Sequence, residues 1–110
     1  MSTPLSPPLA GPIEEHRREI AEICARFDVR RLEVFGSAAT GAFDPARSDV
    51  DFLVKFGDAP GMGAFEQYFG LKEALEALLA RPVDLVEAGA PSNPYFLESV
   101  ERSRRLLYAA

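Results

Sequence analysis

The residues with the most chemical potential in this 110-residue chain lie between Val34 and Val54, in the stretch VFGSAATGAFDPARSDVDFLV. Asp49 and Asp51 stand two apart at the opening of an apolar run, Phe52-Leu53-Val54. In an extended strand alternate residues share a face, which sets the two carboxylates side by side with Cα atoms about 6.6 Å apart. Such a pair repels itself and resists desolvation unless a cation lies between its members. Oxygen-only donors suit a hard ion, and Mg2+ held by carboxylates keeps coordination sites for phosphate oxygens, with Mn2+ as a substitute. An earlier apolar run, Leu32, Val34 and Phe35, ends in Gly36-Ser37. A glycine lets backbone approach a ligand closely, and N–H groups opening a helical turn attract anions. A phosphate cradle facing metal-binding carboxylates is the outline of a nucleotide site.

Several other residues admit two readings. Arg47, the nearest cation to the carboxylates in sequence, either contacts phosphate or is a solvated loop residue. Ser48 stands where it can hydrogen-bond the Asp49 carboxylate or the loop backbone. Asp44-Pro45 reads as turn chemistry, although Asp44 is close enough in sequence to approach the site. Asp84 interrupts the apolar run Val83-Asp84-Leu85-Val86, and an unpaired buried carboxylate is costly. If that strand lies beside the one from Val50, Asp84 joins the face of Asp49 and Asp51; otherwise it faces water from a sheet edge. His16, beside a helical apolar stripe, reads as a half-buried helix residue rather than a ligand. Cys24 reads as a small buried helix residue, since one cysteine excludes an internal disulfide and a multi-cysteine zinc site. Arg102, Arg104 and Arg105 complement the negative end of a helix dipole, or form a docking or phosphate patch.

The elements that must position these residues alternate between helical and two-residue periods. Residues 1–12, with four prolines and no charge, read as a mobile leader, and residues 13–110 as one domain. A helix is expected over Ile13 to Phe27, with Ile13, Ile20, Ile23, Cys24 and Phe27 along one side. Strands are expected over 31–35, 50–56 and 83–86, and a short helical turn over Ala38 to Thr40, ended by Gly41. A second helix is expected over 63–79, with Ala64, Tyr68, Leu71, Leu75, Leu78 and Leu79 inward. A last helix over 95–103, capped by Ser92 or Asn93, leads into an extended tail from Arg105 to Tyr108. The fold class is α/β (α+β): a small mixed sheet flanked by helices, with the third strand beside the second.

At 47% apolar and 26% charged residues the composition is that of an ordinary globular chain. A formal net charge of −5 argues against holding long nucleic acid by neutralising its phosphates. Neither a membrane-length apolar run nor a basic-then-apolar leader is present, so a cytoplasmic location is expected.

Gly-Ser, a short loop, Asp-x-Asp and an apolar strand together resemble the signature of the polymerase-beta-like nucleotidyltransferases, and the chain looks like their minimal nucleotidyltransferase (MNT) branch. The resemblance spans about residues 30 to 87, and Arg81-Pro82-Val83-Asp84 matches the place of a third carboxylate. Thr40 departs from the basic residue usual before the second glycine, and the loop from Ser37 to Asp49 is one residue longer than usual. The resemblance implies the polymerase-beta-like fold and transfer of AMP from ATP with two Mg2+ ions. Asp49 and Asp51 would bridge the ions. Asp84 would complete the acceptor side and help deprotonate the acceptor hydroxyl. Gly36 and Ser37 would hold the beta and gamma phosphates, with Arg47 and Ser48 beside them. It implies a HEPN-domain toxin as partner, modified on a tyrosine, with this chain as the antitoxin. A steric antitoxin without catalysis and an enzyme for small hydroxyl compounds stand as alternatives, and a homo-oligomer is left open.

Overall fold

The computed structural model describes residues 9–44, 46, 49–90 and 93–110. Four strands form one mixed sheet: β1 Val29–Phe35, β2 Val50–Phe56, β3 Val83–Glu87 and β4 Arg105–Ala109, in the order β3-β2-β1-β4. β2 is antiparallel to β1 and parallel to β3, and β4 lies antiparallel along the other side of β1. A parallel pair needs a crossover, and α4 (Ala64–Leu79) supplies it between β2 and β3. The other helices are α1 Gly11–Glu15, α2 Arg17–Arg26, α3 Ser37–Thr40 and α5 Pro94–Ser103.

The two-residue period divides the sheet into unlike faces. Leu32 and Val34, then Val50, Phe52 and Val54, then Val83 and Leu85 form a continuous core with Ile20, Ile23 and Cys24 of α2 and Leu71, Leu75 and Leu79 of α4. Burying these side chains, at about 1.5–3 kcal/mol each, is what orders the sheet. Gln67 of α4 is buried among them because its Nε2 donates to the carbonyls of Phe27 at 3.0 Å and Gly57 at 3.3 Å. The alternate residues of the strands, Glu33, Phe35, Asp51, Leu53, Asp84 and Val86, belong to the opposite face. There α5 packs, with Phe96 edge-on to Phe35 at 5.7 Å between centroids. No helix among the described residues is long and apolar enough to cross a membrane.

The expected strand pairing is present, and the structure adds to it. The segment expected as an extended tail is the fourth strand, giving β1 a hydrogen-bonded partner on each side. The first helix is two: His16, at φ −115° and ψ 20°, breaks it, and the buried Ile13 and Ile20 reach the core from separate short helices. Of the expected leader, residues 1–8 lie outside the described residues, Leu9 is buried, and the Ala10 N–H donates to the Ala38 carbonyl at 3.0 Å. On α4 the inward positions are Gln67, Leu71, Leu75 and Leu79; Ala64 is exposed and Tyr68 and Leu78 are half-buried. Asn93 caps α5, its Oδ1 accepting from the Tyr95 N–H at 2.7 Å, whereas Ser92 lies outside the described residues.

Candidate active site

β1 delivers the chain to Gly36, whose φ of 72° with ψ −152° is a conformation that glycine alone adopts readily. A second constraint acts on the same residue. A Cβ at Gly36 would fall 2.5 Å from Asp51 Oδ2, so the backbone lies directly against that carboxylate. α3 follows at Ser37, one residue earlier than expected, and Gly41 ends it in the left-handed region at φ 83°. The Gly36 N–H itself donates to Ser103 Oγ on α5 at 3.0 Å. Nothing local in the sequence marks Ser103, because the contact joins positions 67 residues apart.

In the sheet, Phe35 pairs with Asp51, and Asp51 pairs with Asp84. Register partners on adjacent strands share a face, so Asp84 joins Asp51. β3 is also an edge strand and Asp84 is exposed, so its own charge is hydrated. Asp49, likewise exposed, immediately precedes β2. The consequence falls on Asp51, the least exposed of the three. Burial, then the charges of Asp84 and Asp49, push its carboxyl up to about 6. No hydrogen-bond donor or cation among the described residues relieves it.

An uncompensated carboxylate between two others fits a hard divalent cation. Among the described residues no three His, Cys, Asp or Glu side chains are placed to hold an ion by themselves.

The remaining candidates divide plainly. Arg47 and Ser48 lie outside the described residues. Asp44 Oδ1 accepts from the Ala46 N–H at 2.9 Å, a turn contact. The Arg81 guanidinium lies over the Phe43 ring at 4.9 Å and ties the loop before Asp49 to the approach of β3. His16 is half-buried, its Nδ1 3.1 Å from Glu19 Oε2. Cys24 is buried, and burial pushes its thiol up to about 12, which makes it inert. Arg102 reaches Glu98 at 3.8 Å, and Arg104 bridges Glu101 at 2.9 Å and the buried Glu33 at 3.4 Å.

The chain that builds this mixed sheet, with its carboxylates beside a glycine turn, matches the nucleotidyltransferase domain family over residues 17–107. It belongs to that family, in its minimal nucleotidyltransferase branch, and is an enzyme of nucleotidyl transfer. It is 34% identical over 89 residues to a candidate protein adenylyltransferase of Methanocaldococcus jannaschii, covering 81% of this chain and 84% of that protein. It is 45% identical over 71 residues to the protein adenylyltransferase MntA of Thermococcus cleftensis, covering 64% of this chain and 65% of that one. Among solved structures, a candidate minimal nucleotidyltransferase superposes with a TM-score of 0.67 at 32% identity, over 84% of this chain and 90% of that one. A toxin–antitoxin complex with AMP-PNP gives 0.64 at 22% identity, over 86% and 73% of the chains. A complex of tri-AMPylated Shewanella oneidensis HEPN toxin with MNT antitoxin gives 0.60 at 18% identity, over 88% and 72%. At these last two identities the likeness is one of fold.

Proposed function

We propose that the chain moves AMP from ATP, with Mg2+ or Mn2+, to a hydroxyl on a partner protein. The acceptor is a tyrosine of a HEPN-domain toxin, and the chain acts as its antitoxin. The observation that carries this reading is the register of Asp51 with Asp84 beside the Gly36 turn. The names of the adenylyltransferase relatives support the group transferred. The AMP-PNP complex and the AMPylated HEPN toxin support the nucleotide and the partner.

In the transfer, an acceptor oxygen forms a bond to the alpha-phosphorus of ATP. The bond from that phosphorus to the oxygen bridging it to the beta-phosphate breaks, and pyrophosphate leaves. The metal, when bound, supplies positive charge that stabilises the attacking and departing oxygens. Asp49 and Asp51 would hold it. Asp84, exposed on the edge strand, would take the acceptor's proton. Gly36, by having no side chain, lets the turn lie against Asp51, and its turn with Ser37, together with Arg47 and Ser48, would bind the phosphates.

The test is transfer from alpha-labelled ATP to the cognate HEPN protein, with Mg2+ present. Wild-type protein should label the partner. Asp84→Asn should lower the rate by about a hundredfold or more while MgATP affinity changes only a few-fold. Neutralisation of the partner without any AMP adduct, and without ATP, would instead establish a steric antitoxin.

A further inference from the structure

We propose that Ser103 is a positioning residue for the nucleotide, holding the Gly36 turn at its working distance from Asp51. The inference rests on Gly36-Ser37 being the phosphate side of the site. Ser103 lies on the last turn of α5, outside the Gly-Ser and Asp-x-Asp motif altogether. Its hydroxyl is committed in two directions, donating to the Ser99 carbonyl at 3.1 Å and accepting from the Gly36 N–H at 3.0 Å. A serine hydroxyl has one proton. Once that proton is given to Ser99, the oxygen faces Gly36 as a pure acceptor with a fixed orientation.

Gly36 lies against a carboxylate in a conformation that glycine adopts without strain, but a glycine can also leave it freely. Its position therefore depends on what holds it. One enforcing partner is Asp51, through close approach on the side where a Cβ would lie. The second is Ser103, through the amide, and a third is the Ala39 N–H, which donates to the Gly36 carbonyl at 3.0 Å. α5 is a firm anchor for the second. Phe96 packs on Phe35, Val100 is buried, and Arg104 reaches Glu33 Oε2 at 3.4 Å. The position of the turn against the carboxylate is therefore set partly by the last helix. Without the hydroxyl, the Gly36 N–H loses the acceptor that the described residues give it, and the turn is less tightly held.

Valine and threonine have nearly the same shape, so Ser103→Val and Ser103→Thr separate the hydroxyl from its bulk. MgATP binding by calorimetry and the Gly36 amide resonance by NMR are the readouts. Ser103→Val should bind MgATP roughly five- to tenfold more weakly, the worth of one hydrogen bond. Its Gly36 amide should shift and exchange faster with solvent, and the KM for the acceptor should hold. Ser103→Thr should restore affinity and amide behaviour to within about twofold of wild type. Equal MgATP affinity in the valine and threonine variants would overturn the inference and leave the nucleotidyl-transfer reading standing. Wild-type protein that fails to bind MgATP would overturn both. Ser103→Ala, which adds no bulk, should behave as the valine variant does if that variant folds poorly; affinity at the wild-type value would refute the proposal.

Discussion

At the scale of single residues, Asp51 is where folding and chemistry conflict. Its carboxyl is pushed up to about 6 first by burial and then by Asp84 and Asp49, so the folded chain disfavours the ionised form that a metal needs. Because the folded-state value lies above the unfolded one, this group's contribution to stability is fully present below about pH 4. It is lost as pH rises through about 6. Asp51→Asn removes the penalty. In metal-free buffer at pH 8 the variant should be more stable than wild type by about 1 kcal/mol, a figure reduced for solvent screening of a half-exposed group. The difference should vanish towards pH 4, as read from urea midpoints across that range. A gap that stays constant with pH would show that the carboxyl is not perturbed. Asp51 was legible in the sequence because a carboxylate opening an apolar strand contradicts its setting. Asp84 was legible for the same reason. Ser103 was not: a serine near a helix end is ordinary, and its partner Gly36 is distant in sequence.

At the scale of elements, periodicity carried β1, β2, β3 and α4, whose buried residues recur at helical spacing. It missed β4 because Leu106-Leu107-Tyr108 is a run without alternation, and strand pairing with β1 is a tertiary event. It also missed the break at His16, where the apolar stripe continues on both sides while the backbone does not. The close approach of α2 and α4 is equally hidden. Gly70 sits inside α4, and a Cβ there would run into the Cε1 and Cζ atoms of Phe27. In an ordinary helix interior, Gly→Ala stabilises by about 1 kcal/mol. Here Gly70→Ala should destabilise by about that much, because the Phe27 ring must give way. In a Phe27→Ala background, which removes the obstruction, the sign should reverse. Thermal or urea unfolding of the four proteins measures the coupling. Stabilisation by Gly70→Ala in both backgrounds would mean the helices are not held apart there.

At the scale of the whole molecule, an acidic chain must bind an acidic nucleotide. The formal net charge is −5, and the site sets two other carboxylates, Asp49 and Asp84, beside Asp51. ATP alone adds negative charge where burial already resists it, whereas Mg2+ reverses the local sign. A ligand that binds only the folded state stabilises it by about 2.7 kcal/mol at a hundred times its Kd. For a domain near this size that is a rise in Tm on the order of 10 °C. Wild-type protein with MgATP should show that rise, ATP with EDTA should show almost none, and Mg2+ alone should show a small one. Asp51→Asn separates intrinsic stability from binding: it should start at a higher Tm in neutral metal-free buffer and then respond little to MgATP. Two outcomes would count against a metal-bridged nucleotide site at Asp49 and Asp51. One is an equal rise with ATP in EDTA; the other is a full response in the Asp51→Asn protein.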